Sequence, residues 1–275
     1  MLVFAGSDPS GGAGIQADVQ AVGAMGAHAL TVITALTVQD NDRVHAVHPV
    51  PARWMQQQAQ MLIDKIDIAA VKIGIVGNSA NAKIIAGVID VLRASNPNLP
   101  VVLDPVLASG HGDALARENA TQMLAPLLPL ATLLTPNLPE AASLAEGESS
   151  TDGQVDALLQ RGCQHILLKG GHGVGEQVIN RWYTAGSAGT ASLADTANTA
   201  GASRVWRFDR LPGAFHGSGC TLASAAAGAL ALGMPMEQAL DSAQKFCHRA
   251  LQESFAIADG QRIPFRSFAW NTAAQ

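Results

Sequence analysis

The run His216-Gly217-Ser218-Gly219-Cys220 leads straight into an Ala-rich stretch, and residues of these types in this order offer chemistry. Glycines let a backbone approach a ligand, and the first N–H groups of a helix starting there would face an anion with the positive end of the dipole behind them. The same residues also fit a tight turn into a buried helix, with Cys220 as a small core residue. At a helix start the thiol is expected to titrate below its free value of about 8.5, which would suit it to act as a base or nucleophile.

Asp104 closes the apolar run 101–103, and Glu140 stands in Thr135-Pro136-Asn137-Leu138-Pro139-Glu140 at the start of a helix. Two acids at neighbouring strand ends could hold Mg2+ directly or through water, since this ion keeps several waters and takes few carboxylates. Taken singly, each acid is more often a helix cap or a solvated carboxylate. Lys169, in Lys169-Gly170-Gly171-His172, is a nucleotide-phosphate contact or a surface lysine before a turn. The segment Gly6-Ser7-Asp8-Pro9-Ser10-Gly11-Gly12-Ala13-Gly14 lacks the lysine of a P-loop and the spacing of a dinucleotide fingerprint. It reads as a substrate-side loop or as a plain strand-to-helix connection.

Elements must hold these groups in place, and the pattern of apolar runs says which. Strands are predicted at 2–5, 29–33, 70–73, 101–103, 166–168 and 178–182, and 44–48 alternates as a half-exposed strand at an edge or in a small lid. Helices are predicted at 52–63, 80–92, 120–127, 155–159, 221–232 and 236–251, the fifth apolar nearly all round and therefore buried. Such alternation predicts a mostly parallel sheet covered on both faces, with ligands outside the carboxyl ends of its strands. The Ala-, Gly-, Ser- and Thr-rich 185–203 reads as a loop, and the chain as one domain, 1–275.

A net charge of −5 leaves no basic surface for nucleic acid, and no apolar run approaches the length of a membrane span. The histidines show no H-x-x-x-H pair, and Cys163, Cys220 and Cys247 no C-x-x-C spacing, so neither zinc nor a disulfide framework is expected. A cytoplasmic protein with a small-molecule partner is the expectation.

Taken in order, these segments, with Val32-Ile33-Thr34-Ala35-Leu36 and Val71-Lys72-Ile73-Gly74 between them, resemble the hydroxymethylpyrimidine/phosphomethylpyrimidine kinase family. The resemblance runs over almost the whole chain and implies a ribokinase-like three-layer α/β/α fold with a central, mostly parallel sheet and a small lid. It implies an ATP- and Mg2+-dependent kinase of thiamin biosynthesis, forming a homodimer, that phosphorylates 4-amino-5-hydroxymethyl-2-methylpyrimidine and then its monophosphate. By resemblance, Gly6, Ala13, Asp18, Gln39 and Val106 would line the pyrimidine pocket, with Gln39 bonding the aminopyrimidine edge. Gly217, Ser218, Gly219 and Cys220 would form the anion hole, Cys220 taking the hydroxymethyl proton. Asn137, Lys169 and His216 would serve ATP, and Asp104 and Glu140 the magnesium ion. The chain departs from the family pattern at Ile75, which stands for Met, at Ala214-Phe215, which replaces Asn-Thr, and in the long 185–203.

Three other readings share these residues. A pyridoxal kinase would act on a hydroxymethyl group of another six-membered heterocycle. A cysteine hydrolase would use Cys220 with His216 but shows no third orienting residue. A non-catalytic ligand-binding protein would keep the fold without turnover.

Overall fold

Each predicted strand joins one sheet. In the computed structural model, which describes residues 1–107, 119–185 and 202–268, the strands are β1 (Leu2–Ser7), β2 (Leu30–Gln39), β3 (Val44–Pro49), β4 (Val71–Ile73), β5 (Val101–Leu103), β6 (Leu133–Leu134), β7 (His165–Leu168), β8 (Gln177–Thr184) and β9 (Arg204–Asp209). Their order is β3-β2-β1-β4-β5-β6-β7-β8-β9. The run from β2 to β7 is parallel, while β3, β8 and β9 are added antiparallel at the edges.

Side-chain alternation divides the core into two layers. Leu2, Phe4, Val71, Ile73, Val101 and Leu103 face one way. That side is covered by α2 (Ala52–Ile63), α3 (Ser79–Ser95), α4 (Ala120–Leu124), α5 (Leu138–Leu144) and α6 (Thr151–Gln160). Val3, Ala5, Val102, Leu133 and Leu167 face α1 (Gly14–Ala24), α7 (Ser218–Ala231) and α8 (Met236–Gln252). This is the expected three-layer α/β/α arrangement. As its composition predicts, α7 is buried from Thr221 to Leu230, and a Cβ on Gly228 would stand 3.2 Å from the Cβ of Met25.

The predicted 120–127 helix stops at Leu124 and gives way to a 3-10 turn, Leu128–Leu130, because Pro126 and Pro129 each lack a donor for a continuing α-helix. Strand β2 runs six residues beyond its predicted end at 33, and its far half pairs with β3 from Ala35/Pro49 to Gln39/Val44. Of the two places expected for 44–48, β3 takes the edge of the sheet. The chain after α8 returns to the β2–β3 hairpin: Asn41 Nδ2 donates to the carbonyls of Asp259 and Gln261, both at 3.0 Å. Most of the predicted 185–203 loop, residues 186–201, lies outside the described residues. Among the described residues no helix is long and apolar enough to cross a membrane.

Candidate active site

Parallel strands leave their carboxyl ends on one edge, where the following segments converge. A cleft of about 490 Å³ opens there, lined by Gly6 in the last residues of β1, Gly74 after β4, Asp104 after β5, Asn137 after β6 and Lys169 after β7. Two glycine-rich turns meet across it. Gly217, the N-cap of α7, has φ +80°, and a Cβ on it would fall 1.9 Å from the Gly12 carbonyl oxygen. A Cβ on Gly12 would fall 2.2 Å from Cδ2 of His216. Close approach therefore demands glycine at both positions.

Asp8 organises the first turn. Its carboxylate accepts from the backbone N–H groups of Ser10 at 2.8 Å and Ala13 at 2.7 Å, and lies 2.9 Å from His216 Nε2. Burial opposes its ionised form, but these partners outweigh burial and hold the carboxyl below its ordinary range.

Asp104 is 1% exposed and accepts from Lys169 Nζ at 2.8 Å and Thr135 Oγ1 at 3.1 Å. Burial works against its charge, yet Lys169, Lys72 and Thr135 keep it ionised. Glu140 and Asn137 form a capping box at the start of α5, with Glu140 Oε2 accepting from the Asn137 N–H at 2.7 Å. Lys169 Nζ stands 3.9 Å from Glu140. Burial pushes the Glu140 carboxyl up to about 7; Asp104 adds to the rise, against the pull of Lys169. Two buried acids thus share one lysine, and a divalent cation beside them would relieve the repulsion that adds to the rise at Glu140. The donor set fits Mg2+, which needs few carboxylates.

Cys220 lies in the first turn of α7 and lines the cleft. Here the structure corrects the expectation of a depressed thiol: burial pushes Cys220 up to about 11, with Asp104 and Asp18 adding to burial and Lys72 opposing it. Burial thus outweighs the helix start and favours the protonated thiol.

Asp18 is also placed otherwise than predicted. It is fully buried and does not line the cleft. Its oxygens accept from Lys72 Nζ at 2.8 and 2.9 Å, and Ser224 Oγ, one helical turn after Cys220, donates at 2.6 Å. Lys72 does line the cleft and is held protonated: burial opposes its charge, but Asp18 outweighs it. Sequence reading assigned Lys72 no role, although a lysine inside the apolar run of a central strand must find a buried acid. The other expected pocket residues, Gly6, Ala13, Gln39 and Val106, line the cleft, as do His216, Gly217, Ser218 and Gly219. A Cβ on Gly219 would stand 3.1 Å from Lys169 Nζ, so the α7 N-terminus and this ammonium face the same point. Together they make a cationic, donor-rich spot beside a thiol, suited to charge developing on a transferred anionic group.

Comparison with known proteins gives the family and the fold. The family model described as phosphomethylpyrimidine kinase matches residues 8–264. The hydroxymethylpyrimidine/phosphomethylpyrimidine kinase of Rhizobium meliloti is 36% identical over 274 residues, covering 97% of this chain and 96% of that protein. Staphylococcus aureus pyridoxal kinase, solved with AMP-PCP and pyridoxal, superposes with a TM-score of 0.78 at 27% identity over 98% of this chain and 93% of its own. Clostridium difficile phosphomethylpyrimidine kinase gives 0.71 at 29% identity over 91% and 98%. The family model over residues 8–264 and a relative 36% identical over 97% of the chain, together with a cleft built on interlocked glycine turns, identify it as a member of the phosphomethylpyrimidine kinase family.

Proposed function

We propose that this chain is a single kinase domain that transfers the γ-phosphoryl group of ATP to 4-amino-5-hydroxymethyl-2-methylpyrimidine, and then to the resulting monophosphate, in thiamin biosynthesis. The observation that carries the reading is the convergence of the α7 N-terminus, Lys169 and Asp104 on one cleft that Gln39, Gly6 and Val106 also line. In the first step a bond forms between the hydroxymethyl oxygen and the γ-phosphorus, and the bond from that phosphorus to ADP breaks. The hydroxyl proton passes to the Cys220 thiolate, while the backbone N–H groups at Gly217–Cys220 and the Lys169 ammonium stabilise the phosphoryl charge.

Asn137, His216 and Lys169 serve the nucleotide in this reading, in keeping with nearby structures solved with ADP and AMP-PCP. Asp104 and Glu140 would hold Mg2+, which when bound neutralises phosphate charge. Ala13 and Val106 flank the pyrimidine and Gln39 bonds its amino edge. Asp18 acts on the site through Lys72. Pairing with a second copy of the chain belongs to the same reading, in keeping with the exposed Leu36 and Val38 on β2.

Pyridoxal is the competing acceptor, favoured by the higher TM-score to a pyridoxal kinase, 0.78 against 0.71. Side-by-side kinetics decide between them. The pyrimidine should have the higher kcat/KM, and Gln39→Ala should lower it by about tenfold, as loss of a hydrogen bond worth about 1.4 kcal/mol predicts, while sparing pyridoxal. Higher kcat/KM for pyridoxal in the wild type would reassign the substrate.

A further inference from the structure

Arg266 is the largest fully buried side chain of the described residues, 1% exposed, and none of its hydrogen-bond partners is a carboxylate. Burying a guanidinium without a paired acid is costly, so its neutral acceptors must be closely placed. Nη2 donates to the Gly12 carbonyl at 2.6 Å, Nε to Thr221 Oγ1 at 2.8 Å, and Nη1 reaches Gln20 Oε1 at 3.4 Å. Thr221 Oγ1 in turn donates to the Gly217 carbonyl at 2.7 Å. One guanidinium therefore holds Gly12 directly and Gly217 through a single relay, and these are the two glycines whose backbones interlock across the cleft.

The tail is brought there by its own pairing. His216 N–H donates to Arg262 O at 2.9 Å and Arg262 N–H to Ala214 O at 2.8 Å, so the residues just before the α7 turn are stitched to the tail four residues ahead of Arg266. Arg266 lies past the stretch 8–264 that the family model matches.

We propose that Arg266 is a positioning residue that locks the substrate-side loop and the anion-binding turn of α7 into one unit. Neither glycine has a side chain with which to fix its own carbonyl, and a rigid planar fork sets both. A lysine in its place keeps the charge but places only one point donor, so it does not reproduce the fork. The proposal rests on the kinase reading for its kinetic consequences and on geometry alone for the coupling of the two turns.

The test compares Arg266→Lys, Arg266→Met, Thr221→Val and the double variant Arg266→Met/Thr221→Val with Ile89→Ala, a core change on the opposite face of the sheet. Both Arg266 variants are expected to lower kcat for the pyrimidine by about 10²-fold, the size of a misplacement of about 1 Å, with a smaller change in KM. Ile89→Ala should lose thermal stability yet keep its kcat. The double variant should be no slower than Arg266→Met, since both substitutions cut one relay. Amide exchange at residues 12–13 and 217–220 should speed up together in Arg266→Lys, a readout independent of turnover. Retained kcat in Arg266→Lys and Arg266→Met, multiplicative losses in the double variant, or exchange rising at only one turn would overturn the clamp. If Arg266→Met does not fold, Arg266→Lys and Thr221→Val carry the test. A wild type without turnover but with coupled exchange would sink the kinase reading and leave the clamp standing.

Discussion

Cys220→Ala is expected to lower kcat for the first phosphorylation by about 10²–10⁴-fold, the usual contribution of a positioned base, and to leave the second nearly unchanged. The difference follows from the acceptors. A hydroxymethyl group must lose its proton as the new bond to phosphorus forms. A phosphate monoester, with a second pKa of about 6, has already lost its proton at neutral pH. The thiol's surroundings add a pH signature. With Cys220 pushed up to about 11, the thiolate is the minor form near neutrality and grows about tenfold per pH unit. The logarithm of kcat/KM for the first step should therefore climb with unit slope through the neutral and moderately alkaline range. Cys220→Asp, if it retains activity, should lose that slope in the same range, because its carboxylate is already ionised. Unchanged first-step turnover in Cys220→Ala would remove the base role.

Gly217→Ala is expected to be the most damaging small substitution in the cleft. At φ +80° an alanine is strained by about 1–3 kcal/mol before any contact is counted. Its Cβ would also lie 1.9 Å from the Gly12 carbonyl oxygen, a backbone atom unable to rotate aside. The two turns must part, which moves the N–H groups at 218–220 away from the transferring group. A fall in kcat/KM of at least about 10²-fold should accompany the stability loss. Gly23→Ala is the matched control: it sits exposed in α1 with nothing within 4 Å of the added carbon. It should stabilise the fold by about 0.5–1 kcal/mol and leave turnover intact. Full activity in Gly217→Ala would mean that the interlocked turns do not matter for turnover.

Local patterning made much of this molecule legible. The run 101–103 became β5 and 52–63 became α2 at their expected bounds, because each is a continuous apolar or amphipathic segment between breakers. β6 was missed because only two residues, Leu133 and Leu134, make ladder bonds, and no period can show in two. β9, Arg-Val-Trp-Arg-Phe-Asp at 204–209, mixes charge with aromatics at an edge, where pairing with β8 rather than an apolar run defines the strand. At the site, the glycine turns were visible as motifs, but their mutual contact, Gly12 against Gly217, joins residues about 200 positions apart and has no local signature. Asp18 was placed in the pocket by resemblance; its partner Lys72 lies on β4, the strand paired with β1, and only the packed α1 and sheet show that they meet. The thiol's direction of shift was misjudged for the same reason. A helix start is legible in sequence, whereas the enclosure that outweighs it is a property of the assembled cleft.

Mass analysis of the products formed from ATP, Mg2+ and 4-amino-5-hydroxymethyl-2-methylpyrimidine, with ADP release followed in parallel, bears most directly on what this cleft does. The expected course is the monophosphate first and the diphosphate after it, with one ADP released for each phosphoryl group transferred. ADP release with pyridoxal but with neither pyrimidine, or no phosphorylated product from any of the three, would contradict it.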